Sequence, residues 1–251
     1  MSPAVRTSPV AAASIADDSD SVEFCGTCAF SSACISSGYN KTALRDLHVL
    51  IEHVGPFQAG DYLFREGDAF NAIAAVRAGV VKTTVVDGQG REQVLGFHLP
   101  GEVIGLNAIH ANRYPCDAIA LDTVTLCRFS FPQIATLASR LPGLQQHLFK
   151  LLSADIGKAA VLAGDFSADE RMAAFILSLS RRYAARGYSA SRLHLPMARA
   201  DIANYLGLAA ETVSRVLRRF QQDGLIVVDR REMEILDRAR IGVLAASVLR
   251  D

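Results

Sequence analysis

No apolar run in these 251 residues approaches the roughly 18 to 20 needed for a membrane-crossing helix, so no bilayer span is expected. Net charge is lacking too. The 26 Lys+Arg balance the 26 Asp+Glu, and the whole chain advertises no polyanionic partner. The opening stretch MSPAVRTSPVAAASIADDSD holds one arginine, a short broken apolar patch and then acids. That is not the pattern of a signal peptide, and it predicts a disordered tail over 1–22 of a cytoplasmic protein. There is no nucleophile–base constellation, no His/Glu ligand motif and no phosphate-cradling loop, which argues against an enzyme. The six histidines, His48, His53, His98, His110, His147 and His194, are scattered and read as surface or packing residues. Cysteine is sparse at five residues, an odd count that suits no disulfide framework, least of all in a reducing compartment.

The cysteines that are present crowd together. EFCGTCAFSSAC, residues 23–34, sets Cys25, Cys28 and Cys34 in a C-x2-C-x5-C run. Clustered thiols in a reducing compartment are more often metal ligands or redox groups than staples. The rest of the composition, 50% apolar and 21% charged, is that of a globular chain long enough for one or two domains. Charge is unevenly spread within it. Residues 165–251 hold 14 Lys+Arg against 11 Asp+Glu, a mild hint of a nucleic-acid face at that end.

Along the chain, NKTALRDLHVLIEHV places Leu44, Leu47, Leu50, Ile51 and Val54 at helical spacing and predicts a helix over 41–54. From Gly55 to about Phe131 glycines recur in turn contexts between short β-rich runs such as VVKTTVV and TVTLCRFSF. This texture predicts a small antiparallel barrel or roll. From Gln133 to Ala163 helical period returns, with Leu144, Leu148, Leu151, Leu152, Ile156 and Ala159 along one apolar stripe. A second copy of the same helix is a natural cover for such a stripe. SADERMAAFILSLSRRYAARG then reads as a capped amphipathic helix beginning at Ser167.

The stretch ARADIANYLGLAAETVSRVLRRFQQDGLIVVDRREMEIL divides into two short helices around Gly207, followed by two strands. Ile202, Ala203 and Leu206 form the inner face of the first helix, and Val213, Val216, Leu217 and Phe220 that of the second, over Ala210 to Gln222. The outer face of the second presents Glu211, Ser214, Arg215 and Arg218. Arginine suits guanine, glutamate suits the cytosine amino group and serine suits either, so this face is equipped for base edges and phosphates. Glycine turn, packed inner face and two-stranded wing together predict a winged helix-turn-helix, which as a dimer meets a palindromic duplex.

Taken together, barrel, long helix and ETVSR helix resemble the Crp/Fnr family of bacterial transcription regulators, over nearly the whole chain after residue 24. RMAAFI and DIANYLGLAAETVSR carry the resemblance most specifically, and GFHLPGEVIG is similar to the oxygen-sensing FNR branch. The resemblance implies an α+β architecture: a cluster-binding segment and cyclic-nucleotide-binding-like antiparallel β-roll sensor domain (23–132), a dimerisation helix (133–164) and a winged helix-turn-helix domain (165–251). It implies that Glu211, Ser214 and Arg215 read half-sites like TTGAT, that the turn Asp87 to Gln93 touches RNA polymerase, and that the protein is a homodimer. Family barrels that bind cyclic nucleotides follow Gly-Glu with an Arg-Ser/Thr-Ala run. Here Gly101 and Glu102 are followed by NRYPCDAIA, with Arg113 out of register, which argues against a cyclic nucleotide.

For Cys25, Cys28 and Cys34 a fourth ligand must come from elsewhere, and spacing leaves both Cys116 and Cys127 open. The resemblance selects Cys127, because TVTLCRF matches the strand that supplies the distant ligand in FNR-type proteins. Four thiolates suit zinc as well as an iron–sulfur cluster, and haem, nitric oxide or a thiol switch are other possible inputs. The FNR likeness favours one oxygen-labile [4Fe–4S] cluster per subunit. Ala159 stands where FNR-type dimer helices often carry an acid, which implies a tighter dimer.

Overall fold

The glycine-punctuated half of the chain folds into a β-roll in the computed structural model, which describes residues 50–162 and 164–249, with backbone alone for 156–162. Its strands are β1 (Ile51–Phe57), β2 (Tyr62–Phe64), β3 (Ala72–Ala78), β4 (Val81–Val86), β5 (Glu92–His98), β6 (Val103–Ile104), β7 (Asp117–Ala120) and β8 (Val124–Ser130). They form two antiparallel four-stranded sheets, ordered β1-β8-β3-β6 and β2-β7-β4-β5. Strand alternation explains how the roll closes. Val124 and Leu126 of β8 join Val76, Val81, Ala118 and Ala120 in the core between the sheets. Cys127 and Phe129, at the odd positions, point to the outer side with Ile73 and Ala75 of β3. Gly79, between β3 and β4, has φ +78, and a Cβ there would lie 2.4 Å from the Thr123 carbonyl, so only glycine fits this turn.

Two helices cover that outer side: α1 (Phe131–Arg140) and α2 (Pro142–Leu162). The single long helix expected from 133 is therefore two. Leu141 is extended (φ −121, ψ 91) because it precedes Pro142, which is tolerated only in the first turn of the next helix. The expected helix over 41–54 is also corrected at its end. Ile51 to Val54 lie in β1, where Ile51 pairs with Phe129 and His53 with Cys127. Long-range pairing of β-branched residues overrides a local helical period there. The earlier part of that expectation, and the tail over 1–22, lie outside the described residues.

The C-terminal unit is built from α3 (Ala168–Ala184), β9 (Arg192–His194), α4 (Arg199–Leu206), α5 (Ala210–Gln222), β10 (Ile226–Asp229), β11 (Glu232–Ile235) and α6 (Arg238–Ala245). A reciprocal capping box opens α3: the Glu170 amide donates to Ser167 Oγ and the Ser167 amide to Glu170 Oε2, at 3.3 and 2.8 Å. Met172, Ile176 and Leu179 of α3 meet Ile202, Val213, Phe220 and Ile241 in one apolar core. The wing has three strands, β10-β11-β9, one more than the sequence reading gave, and α6 was not foreseen. Among the described residues no helix is long and apolar enough to cross a membrane.

Candidate nucleic-acid interface and sensor site

The helix pair α4–α5 is a helix-turn-helix whose geometry follows from its sequence. Gly207 closes α4 at φ 64, where a glycine pays no Cβ penalty, and the Leu208 amide donates to the Ala203 carbonyl at 2.9 Å. Inside the turn, Arg171 of α3 donates from Nη1 to the Leu206 carbonyl at 3.0 Å and from Nη2 to that of Gly164 at 2.9 Å. Arg171 thus caps α4 from outside it. Nothing local in RMAAFI signals that role, because the carbonyl it caps lies 35 positions away.

On α5, Val213, Val216, Leu217 and Phe220 are buried, as expected from their spacing. Glu211, Ser214, Arg215 and Arg218 are all exposed on the opposite side. Ser214 Oγ donates to the Ala210 carbonyl at 3.0 Å, and Arg215 reaches Thr212 Oγ1 at 3.3 Å. Among the described residues Glu211 and Arg218 make no hydrogen bond or ion pair within the protomer. Arg219, which the sequence reading passed over, turns sideways and pairs with Asp169 on α3. The wing turn carries exposed Arg230 and Arg231, and the Arg230 carbonyl accepts from Arg199 Nη2 at 3.3 Å, tying the turn to the start of α4. Cationic side chains on α5 and the wing tip, above a rigid core, form a surface that can meet a duplex at both a groove and its backbone.

At the other end of the molecule, Cys127 is half-buried on β8, flanked in register by His53 of β1 and Ala75 of β3. Its Sγ lies 3.7 Å from His53 Nδ1. Cys116 is different: 1% exposed, it accepts from Asn107 Nδ2 at 3.5 Å, and burial pushes its thiol pKa up despite that bond. A sealed, protonation-favouring site suits a packing residue, not a thiolate ligand. Cys25, Cys28 and Cys34 lie outside the described residues, and no group of three metal-ligating side chains occurs among those described. The donor set nonetheless fits a soft metal centre: β1 is the first described strand after the cysteine run, and it pairs directly with the strand of Cys127.

The seam residues are placed unevenly. Leu144 is 1% exposed and packed into the protomer's own core with Phe129 and Ile134, so it is not available to a partner, contrary to expectation. Leu148 and Leu152 are half-buried against the same cluster, and Phe149 is 60% exposed beside them. The side chains of Ile156 and Ala159 lie outside the described residues. Arg113 is exposed and donates to the Gly67 carbonyl at 2.6 Å, while Glu102 is turned toward α3, so the two do not converge on one anion.

A β-roll joined through helices to a winged helix-turn-helix defines a DNA-binding transcription regulator rather than an enzyme. Comparison with known proteins is consistent over most of the chain. The Crp-like helix-turn-helix domain matches residues 170–242 and the cyclic nucleotide-binding domain residues 55–140. The chain is 40% identical to the transcriptional activator protein FnrA of Stutzerimonas stutzeri over 228 residues, 90% of this chain and 93% of that one. It is 38% identical to the fumarate and nitrate reduction regulatory protein of Salmonella typhi, over 88% of this chain and 90% of the other. Among solved structures it resembles FixK2 from Bradyrhizobium japonicum with a TM-score of 0.69 and 26% identity, covering 77% of this chain and 96% of that one. The chain belongs to the Crp/Fnr family of transcription regulators, in its FNR-type branch.

Proposed function

We propose that this regulator controls an anaerobic response in the cytoplasm, with Cys25, Cys28, Cys34 and Cys127 holding one [4Fe–4S] cluster per subunit. Bound there, the cluster would supply oxygen-labile chemistry. The observation that carries the reading is the placement of Cys127: half-buried, on the strand paired to β1, and facing the side of the roll that α1 and α2 cover, whereas Cys116 is sealed. The names of the similar regulators, one a fumarate and nitrate reduction regulator, point the same way.

In this reading α2 pairs with its copy along Leu148, Leu152, Ile156 and Ala159, and exposed Phe149 borders the seam. The dimer sets two α5 helices about one DNA turn apart, against a TTGAT-like palindrome read by Glu211, Ser214, Arg215 and Arg218. The β4–β5 hairpin offers a preformed contact for RNA polymerase. Asp87 accepts from the Gln89 and Arg91 amides at 2.9 and 3.0 Å and from Arg91 Nε at 2.7 Å, which braces the tip. Glu102 and Arg113 are both spent on protein partners, which supports the view that no cyclic nucleotide is the input.

The test is anaerobic purification, followed by binding of anaerobic and air-exposed protein to a TTGAT palindrome. A brown protein with about four iron and four sulfide per chain, and tighter anaerobic binding, is expected. A colourless zinc protein, a haem spectrum or equal binding in air would overturn the reading.

A further inference from the structure

The reading domain does not hang from α2 alone. It is also docked on the outer face of the second sheet. At the centre of this contact Phe97 of β5, Phe175 of α3 and Tyr205 of α4 form an aromatic triangle with ring centroids 5.4 to 6.2 Å apart. Polar brackets close it on two sides. On one, Glu102 accepts from Arg182 Nε and Nη2 at 2.8 and 2.6 Å and from Arg186 Nη2 at 2.8 Å. Arg182 Nη2 also donates to the Phe97 carbonyl at 2.6 Å, and Arg186 Nε donates to that of Pro100. On the other, Lys82 of β4 bridges Glu92 and Asp201, each at 2.9 Å. Beside it Asn204 of α4 accepts from the Val94 amide at 2.7 Å and donates to the Glu92 carbonyl at 2.6 Å. β5 is an edge strand, and this one side chain satisfies backbone groups that would otherwise be open there.

Charge chemistry makes Glu102 the key of the first bracket. Its side chain is 17% exposed and that of Arg186 is 5% exposed, so each group depends on the others for the solvation it has lost. Without the carboxylate, the guanidiniums of Arg182 near the end of α3 and Arg186 in the turn just after it would face each other, with only the Phe97 and Pro100 carbonyls beneath them. With the domain docked in this way, the outer face of α5 stays exposed.

We propose that Glu102 is a positioning residue for DNA reading: with Arg182 and Arg186 it fastens the helix-turn-helix unit to the β-roll in the orientation that leaves the α5 face open to a duplex. This rests on the DNA-binding role of the family and not on the cluster. A bidentate pair across two domains holds an angle as well as a distance, which a lone hydrophobic contact does not.

The test uses the full chain, prepared anaerobically, as wild type, Glu102→Gln, Glu102→Asp and Lys82→Met. Hydrogen exchange is read at the Val94 amide, which Glu102 does not touch, with the Met172 to Leu179 amides of α3 as a folding control. Glu102→Gln should speed Val94 exchange and weaken binding to a TTGAT palindrome, each about tenfold, with α3 still protected, and Glu102→Asp should recover most of both. Unchanged Val94 exchange would overturn the proposal, and so would tighter binding, which would mean that docking holds the domain away from DNA. Should Glu102→Gln also lose α3 protection, Lys82→Met decides by the same two readings whether this docking contact positions the reading domain, since Lys82 holds Asp201 from the opposite bracket and leaves Glu102 and both arginines in place. A wild type that ignores the palindrome counts against the TTGAT reading alone. Affinities are then compared on a random duplex at low salt, and the exchange result stands by itself.

Discussion

The β-roll has two outer faces, both covered by apolar packing, and the second is also keyed by ion pairs. The β1-β8-β3-β6 face meets α1 and α2 through apolar side chains, with Ile73, Ala75 and Phe129 against Ile134, Ala138 and Leu144. The β2-β7-β4-β5 face meets the reading domain through apolar packing too, with Val80, Val94, Phe97 and Leu99 joined to that domain's core, but there the contact is bordered by ion pairs and side chain–backbone hydrogen bonds. Apolar burial is non-directional, whereas buried, bidentate ion pairs fix the angle at which a partner sits and are costly to break one side at a time. The first face is therefore a plain apolar frame, and in the proposed reading it carries the Cys127 ligand. The second is a keyed joint, apolar at its centre and held at one angle by its ion pairs.

The largest effect should come from the frame. Cys127→Ser is expected to bring anaerobic iron and sulfide to background and remove the difference between anaerobic and aerobic DNA binding. Cys116→Ala should keep both and lose about 1 kcal/mol of stability, through a small void and the lost Asn107 contact. Iron retained in Cys127→Ser and lost in Cys116→Ala would make Cys116, not Cys127, the fourth ligand.

Next in size is the packing of the frame itself. Phe129 is 1% exposed on β8, and Phe129→Ala should cost about 3–5 kcal/mol, read as a lower urea midpoint for the roll. Scanning calorimetry of this variant should show the roll melting ahead of an intact reading domain. Co-melting of both at the lowered temperature would mean that the joint is as permanent as the frame.

Acid should act on the joint. Burial alone would raise the Glu102 pKa, but Arg182 and Arg186, with His98 nearby on β5, outweigh it and hold it down to about 2. Burial works against the Arg182 charge in turn, and the Glu102 carboxylate outweighs it and keeps the guanidinium charged. A carboxylate lowered in the folded state adds stability above its unfolded value near 4.5, and that stability is lost as pH falls through the interval toward about 2. The contribution is about 2–3 kcal/mol at neutral pH, so urea midpoints of wild type should fall across this window. Those of Glu102→Gln should fall less. Parallel curves would show that the carboxylate is not held by the arginines.

What could be read in advance divides along the same line. The capping box at Ser167, the turn at Gly207 and the inner face Val213, Val216, Leu217 and Phe220 all follow from chemistry within a few residues, and the sequence displays them. So does the break at Leu141–Pro142, which was there to be seen but was masked by an apolar stripe running on either side of it. β1 was hidden for a stronger reason: Ile51 and Val54 fit a helical period equally well, and only their partners on β8 decide. Ile73 to Val76 show no alternation because β3 is buried on both faces. The joint was the least legible part. Lys82 and Asp201 lie 119 positions apart, and Glu102 looked like a remnant of a nucleotide site until its arginines were in place.

The smallest predicted effect lies at the wing tip and separates reading from folding. Arg230 occupies the two-residue turn between β10 and β11 at φ 52, a left-handed conformation that costs a side-chain-bearing residue about 1 kcal/mol. Glycine would sit there without strain but would loosen the unfolded chain, so Arg230→Gly should raise stability by only a few tenths of a kcal/mol. An arginine kept at a strained, exposed turn makes sense as a backbone contact to a duplex. The variant should bind DNA more weakly at every sequence, and the slope of log affinity against log salt should flatten by about 1. A stabilised variant with an unchanged salt slope would show that the wing tip stays clear of the phosphates, leaving the α5 face to carry recognition without it.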